Sequence, residues 1–285
     1  MLTRRGAVLG LGTLAVSGAA TSVAQAVRSA PRAERSSADE RLAQFIRLRT
    51  SPDGSPVIWS YSGVLIGKPD GQLARPLVRI DGMSFTYARP QASGAYEWQL
   101  DEVGYYCDLE SGAVLEHWTN PFTGAEVRPA HYRSPQTLQF TPQGVRPGRP
   151  LPPGVEFRGE ITTLAEVAGL IAMTEDLYVR VPGIPSDGAK PARPERISSS
   201  LATFTARAAD LHLPASRWVD CQLSYTTMNS FAAWLAMDGT SGLQNMRLVG
   251  RKCRRTDRSA VPAWLRERIA LDHPTFLTVS EAWHA

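Results

Sequence analysis

Val57-Ile-Trp-Ser-Tyr-Ser-Gly-Val-Leu-Ile-Gly-Lys-Pro-Asp-Gly71 changes parity at every residue: Val57, Trp59, Tyr61 and Leu65 fall on one side, Ser60 and Ser62 on the other, until Lys68-Pro-Asp-Gly71 supplies a turn. A period of two over a run this long marks a half-buried strand, because successive side chains of an extended backbone point to opposite faces. Just upstream the period differs. Ser37-Ala-Asp-Glu40 has the form of a capping box, and Leu42, Phe45 and Ile46 follow at helical spacing, so a short amphipathic helix is expected over residues 38–49 with an apolar partner beneath it.

Downstream the strand pattern recurs. Runs near 76–88, 95–107, 113–118, 125–132, 136–141, 155–162, 166–180, 200–210, 217–228 and 243–252 read as strands, with turns at Asp81-Gly82, Ser93-Gly94, Ser111-Gly112 and Thr123-Gly124. The proline-dense stretches Pro142–Pro153 and Pro182–Pro194 read as loops, and Pro262-Ala-Trp-Leu-Arg-Glu-Arg-Ile-Ala-Leu271 as a last helix. About ten strands without alternating helices point to a mainly β fold: an antiparallel β-barrel, calycin-like or similarly closed, with a few peripheral helices. The expected organisation is a leader at 1–26, a helix and linker at 27–51, and one barrel domain at 52–285.

The leader is read from Thr3-Arg4-Arg5-Gly6-Ala7-Val8-Leu9, an arginine pair before a short apolar stretch, with Ala24-Gln25-Ala26 suited to signal peptidase. This has the form of a twin-arginine export signal, and the expected location is periplasmic or secreted. The apolar stretch falls short of the roughly twenty residues a membrane span needs, so no stable membrane insertion is expected once the leader is removed. The net charge of +4 across 285 residues, partly owed to Arg4 and Arg5, is too mild to argue for a nucleic-acid partner. Oligomeric state is left open.

The 285 residues contain no GxGxxG, GxxxxGK[ST] or GxSxG, which removes the usual marks of dinucleotide, nucleoside-triphosphate and serine-hydrolase chemistry. Cys107, Cys221 and Cys253 form no CxxC, so a zinc ribbon or thioredoxin-type site has no support. No cofactor is expected. His117 and His131 flank one expected hairpin, and with Glu116, Glu126 or Asp108 they are the candidate set for a metal-dependent hydrolase; neither HxH nor HExxH spacing supports it.

Trp98-Gln-Leu-Asp-Glu-Val-Gly-Tyr-Tyr-Cys-Asp108 carries the best chemical constellation. In an unbroken strand Trp98, Leu100, Glu102, Tyr106 and Asp108 share a face, so Glu102, Tyr106 and Asp108 are the candidate catalytic residues. Against a dry barrel interior Glu102 would act as general acid or base, and Tyr106 would steady developing negative charge. Asp108 also fits the start of a capped hairpin loop, as does Asn120, and Gly104 could mark a register-shifting bulge. Trp59, Trp98, His117, Trp118, Asn120 and Trp234 are the candidate ligand-binding residues, an aromatic set able to wall a pocket for a small apolar or aromatic molecule or simply to fill a core.

On Glu102-Val-Gly-Tyr-Tyr-Cys-Asp108, Ser111-Gly112, Trp118-Thr-Asn-Pro-Phe-Thr-Gly-Ala-Glu126 and Tyr225-Thr-Thr-Met-Asn-Ser-Phe-Ala-Ala-Trp-Leu-Ala-Met237 with Gly239, the chain resembles the bacterial domain of unknown function 1838 family. It departs from that pattern at Cys107 and at Arg133-Ser-Pro135. The resemblance implies a shared fold and no particular reaction. The expected function is therefore a small-ligand barrel acting as a cofactor-independent acid-base lyase or isomerase. The alternatives are a non-catalytic carrier, a metal-dependent hydrolase and a structural or surface-interaction domain.

Overall fold

In the computed structural model the described residues are 38–184 and 194–277. Two compact units divide the chain, residues 1–36 and 37–285. The first, with the leader, lies outside the described residues, as does most of the Pro182–Pro194 stretch.

Ten strands form one antiparallel up-and-down sheet. The first five in chain order are β1 (Val57–Pro69), β2 (Arg75–Pro90), β3 (Tyr96–Cys107), β6 (Tyr132–Thr141) and β7 (Gly144–Pro147). The second five are β8 (Glu156–Val167), β9 (Leu170–Val181), β10 (Arg196–Arg207), β11 (Gln222–Asn229) and β12 (Gly242–Arg254). β1 pairs with β12, joining the two halves, so the ladder runs β7-β6-β3-β2-β1-β12-β11-β10-β9-β8. Its two edges, β7 and β8, face each other; a Cβ on Gly159 would lie 2.7 Å from that of Val145. The result is a nearly closed ten-stranded barrel, mainly β with few helices. The chain crosses this seam through its densest run of prolines, Pro147 to Pro153, which connects β7 to β8.

Helix α1 (Ala38–Arg49) plugs one end of the barrel. Phe45 meets Phe140 and Phe204 edge-on, with centroids 5.4 and 5.5 Å away. The plug explains the helical spacing of Leu42, Phe45 and Ile46, which all face the core. At the opposite end the short hairpin β4 (Trp118–Thr119) and β5 (Glu126–Val127) packs against the β11–β12 connection. Helix α2 (Ala208–Leu211) joins β10 to β11, and helix α3 (Ala263–Asp272) lies outside the barrel, against Ile58, Met83, Phe85, Val103, Tyr105 and Cys107. The middle of β2 is consequently buried on both faces, its inner residues by the barrel and its outer ones by α3.

Several expectations need correction. Asp81-Gly82 is no turn: it lies inside β2, and Gly82 is there because Tyr61, its cross-strand neighbour, needs the space. A Cβ on Gly82 would meet the Tyr61 hydroxyl at 2.3 Å. Gly104 marks no bulge, since β3 stays in register with β2 throughout. The runs 113–118 and 125–132 shrink to the two-residue strands β4 and β5, because Asn-Pro and Thr-Gly hold the segment in tight turns. The runs 155–162 and 166–180 are divided by a hairpin turn at Ala168-Gly169, both at positive φ, where Ala168 hid the signal that Asn-Gly would have shown. Within Pro142–Pro153, Gly144–Pro147 is a strand. The run 200–210 ends in α2, and 217–228 begins only at Gln222.

Candidate functional site

The barrel encloses a cavity of about 110 Å³ on the inner faces of β1, β2, β3, β6 and β9 to β12, with α1 over one end. Half of its wall is apolar: Trp59, Trp98, Leu100, Leu138, Leu177, Phe204 and Leu248 among others. Ser84, Thr86, Gln136 and Ser200 add neutral polar groups, and charged groups enter at two places.

The first is Glu102. It is half-buried and lines the cavity. Desolvation pushes its pKa up to about 7, a rise that the nearby Tyr61 hydroxyl opposes. Beside it a row of residues crosses four strands in register: Tyr61 on β1, Gly82 on β2, Gly104 on β3 and Tyr132 on β6. The two glycines leave room for the two rings to lean over the sheet, and the Tyr61 and Tyr132 hydroxyls meet at 3.2 Å. Burial raises the pKa of both phenols well above the usual value, and the Glu102 charge adds to the rise, so both remain protonated donors at neutral pH.

The second place is Arg49, the last residue of α1. Its Nη1 forms a buried ion pair with Glu175 of β9. Burial lowers the arginine pKa and raises that of the glutamate, each held back by the partner's charge. The guanidinium is caged by rings, its Cζ lying 4.2 Å from the Trp98 centroid, 4.8 Å from Phe204, 5.1 Å from Phe140 and 5.4 Å from Phe45. Tyr225 stands between the two places, its phenol sensing the charges of Glu102, Glu175 and Arg49.

Of the residues named from sequence, Trp59, Trp98 and Glu102 line this cavity together. Tyr106 shares the inner face of β3 but lies beyond Gly104, packed on Trp234 at a centroid distance of 4.7 Å. Trp118 meets Trp234 edge-on at 5.8 Å, and buried Asn120 donates to the Leu235 carbonyl at 2.5 Å, so these groups hold the hairpin end closed. Asp108 lies outside β3 at the hairpin mouth, where its Oδ1 accepts from the backbone N–H of Glu110 and Ser111 at 3.2 and 2.8 Å. His117 is exposed, 3.4 Å from Glu126, while His131 Nδ1 accepts the Tyr106 N–H at 3.1 Å. Among the described residues no three His, Cys, Asp or Glu side chains form a metal-ligating group. All three cysteines are free and buried.

Tyr61 and Tyr225 belong to the strand aromatics that the sequence offers as pocket walls, whereas Arg49, Glu175 and Tyr132 were not singled out from the sequence as site residues. Tyr61 and Tyr132 carried one legible signal, a glycine in mid-strand where no turn was needed. Arg49 and Glu175 carried none, since each reads as an ordinary charge until α1 is docked.

A more open groove of about 720 Å³ beside β10 to β12 includes Trp218, Arg207, Lys252 and Arg254. Its charges are already engaged: Arg207 pairs with Asp210, and the Lys252 ammonium donates to the carbonyls of Arg47 and Thr50 at 2.9 and 3.1 Å, capping α1. Desolvation brings the Lys252 pKa down to about 8.

The segment carrying Glu102 and the row of tyrosines and glycines is also the one with a sequence relationship. Residues 54–147 match the model of the DUF1838 family, described as a protein of unknown function. The DUF1838 match spans β1 to β7 and supplies Trp59, Tyr61, Trp98 and Glu102 to the cavity wall and Tyr132 behind Tyr61, while Arg49, Glu175 and Tyr225 lie outside it. Comparison with curated proteins finds no match. Among solved structures, a Pseudomonas aeruginosa MucA/MucB complex aligns at 11% identity over 82% of this chain and 97% of that one, with a TM-score of 0.12. A structure of MucB with MucA(peri) aligns at 11% identity over the same shares, with a TM-score of 0.13. Overlays this poor carry no argument.

Proposed function

We propose that this DUF1838 barrel binds a small molecule in its interior and moves a proton on it at Glu102, as a cofactor-independent lyase or isomerase does. One observation carries the proposal: a carboxyl on the wall of an internal cavity, with a pKa pushed up to about 7, which can both hold and release a proton near neutrality. Tyr61 and Tyr132 take the role assigned to Tyr106 from sequence, because their hydroxyls meet beside Glu102 whereas Tyr106 packs on Trp234. The Tyr61 hydroxyl, which lines the cavity and now donates to the Val103 carbonyl at 3.3 Å, would turn from that acceptor to steady negative charge developing on the substrate, with Tyr132 behind it.

Deuterium incorporation from D2O into a panel of small carbon acids tests the proposal without a known substrate. Wild type is expected to exchange at least one member with a rate rising through about pH 7, following Glu102 ionisation, and Glu102→Gln is expected to lose that exchange. No exchange by wild type, or exchange indifferent to Glu102→Gln, overturns the catalytic reading. Retention of a stoichiometric organic molecule in native mass spectrometry without exchange would favour a carrier, a reading supported by closure of the barrel at both ends.

The protein is further proposed to act after export, on the strength of Arg4-Arg5 and the apolar stretch behind them. Replacing both arginines by lysine should retain it in the cytoplasm. Unchanged export would remove the twin-arginine assignment.

A further inference from the structure

We infer that molecules reach the interior cavity through the barrel wall, at the seam beside β7 and β8, and that Gln136 stands in this entrance as the residue that selects them by size. This rests on the reading of the cavity as a small-molecule site and adds its route of access.

Two inner faces of the barrel open toward one corner. Along β6 the inward residues are Phe140, Leu138 and Gln136; the first two are buried, and Gln136 is exposed although it lines the cavity. Along β10 the same parity gives Phe204 and Ala202, both buried, then Ser200, half-buried on the cavity wall, and Ser198, exposed. Inner-face side chains of a closed barrel are shielded from solvent, so exposure on that face marks where the wall is missing. The two series meet across the seam. Phe140 pairs with Val145, a Cβ on Gly159 would lie 2.7 Å from that of Val145, and Gly159 pairs with Leu177, which pairs with Ser200. A Cβ on Gly144 would lie 3.7 Å from the Cα of Glu160, so β7 and β8 run antiparallel. The step from Phe140 toward Gln136 therefore matches the step from Ser200 toward Ser198. Backbone pairing stops at the same corner: the β6–β7 ladder ends at Leu138 and Pro147, one further bond joins the Gly148 N–H to the Thr137 carbonyl at 3.0 Å, and β8 begins at Glu156. Gln136 lies just past that last bond. Its hydrogen bond, from Nε2 to Ser134 Oγ at 3.2 Å, runs along β6 and not across the gap. Inward from this mouth the cavity reaches Glu102 and its cross-strand partner Ser84.

Glu102→Cys in the full-length protein reads the route without a known ligand. Methyl methanethiosulfonate transfers its CH3S group to a thiolate and releases methanesulfinate, and the mixed disulfide is counted by mass spectrometry. The native thiols give a slow background: all three are buried, and burial pushes those of Cys107 and Cys221 up to about 12. The introduced thiol is expected to react at least ~10-fold faster than these, since reactivity follows access and thiolate content. Gln136→Trp is expected to bring it down to the rate of the native thiols. Gln136→Ala is expected to narrow the lead of the methyl reagent over its bulkier propyl homologue. Thr119→Trp, at an exposed position of the hairpin, is expected to leave the rate unchanged.

An introduced thiol no faster than the native ones, a rate indifferent to Gln136→Trp, or equal slowing by Thr119→Trp overturns the route. An unchanged methyl-to-propyl ratio in Gln136→Ala overturns the selection by Gln136. Should Glu102→Cys fail to fold, Ser84→Cys, a smaller change on the same wall, gives the same readings. Entry at the seam without deuterium exchange in wild type upholds the entrance and removes the catalytic reading, whereas exchange in wild type without entry at the seam does the reverse.

Discussion

The two ends of the barrel are closed by different physics. At the α1 end a helix carries a charged residue into an aromatic cage and pairs it with Glu175 across the interior. At the hairpin end Trp234 packs on Tyr106 and meets Trp118 edge-on, and Asn120 ties the hairpin to the neighbouring connection through a backbone carbonyl. Closing an end with apolar and neutral polar groups is the less costly way, because no charge is desolvated. The α1 end accepts the heavier desolvation. Glu102 lies on the wall between, where burial pushes its pKa up to about 7.

The largest expected effect breaks this contrast at the charged end. Arg49→Met leaves Glu175 buried without its partner and should cost about 3–5 kcal/mol in urea unfolding. The pairwise replacement Arg49→Met with Glu175→Leu should recover most of that loss. Equal losses in the single and double variants would show that the cage, and not the ion pair, holds α1 in place.

Next comes Glu102→Gln, read against pH. The folded-state pKa of about 7 lies above the unfolded value near 4.5, so the folded protein binds this proton more tightly. The stabilisation is complete below pH 4.5 and is lost as pH rises through 7. At pH 8 the ionised carboxylate should cost about 3 kcal/mol relative to pH 4.5, so the glutamine variant, scarcely different at pH 4.5, should be the more stable protein at pH 8. Parallel pH profiles for variant and wild type would place Glu102 in contact with bulk water.

Asn120→Ala should cost about 1–3 kcal/mol, the worth of a buried carbonyl left without its donor. It should loosen residues 118–127 in hydrogen exchange while leaving the Glu102 pKa unmoved. A shift in that pKa would mean that the two ends are coupled. Smallest of all is Asp108→Ala, which removes turn-capping bonds at an exposed loop. Deuterium exchange at Glu102 should be indifferent to it, and a loss of exchange comparable to that of Glu102→Gln would return Asp108 to the site.

Glu102, Trp59 and Trp98 were legible because strand periodicity is local: once β1 and β3 are recognised, parity alone sends these side chains to one face. Tyr106 followed the same parity and still missed the cavity. Parity fixes the face of a sheet and says nothing of the depth in a barrel at which a side chain stands. Gly82 was misread because a glycine after aspartate is a turn signal in isolation, and only a neighbouring strand bringing Tyr61 over it shows why the side chain is missing.

What the chain alone determined is whatever nearest neighbours control: strands from alternation, helix α1 from its capping box and apolar spacing, and from these the mainly β barrel. Tertiary structure alone decided the rest. The meeting of Arg49 with Glu175, 126 positions apart, the convergence of Tyr61 and Tyr132 over two glycines, and the depth that raises the Glu102 pKa all depend on how ten strands close. Desolvation and charge pairing are properties of the assembled interior, and no local pattern of residues encodes them.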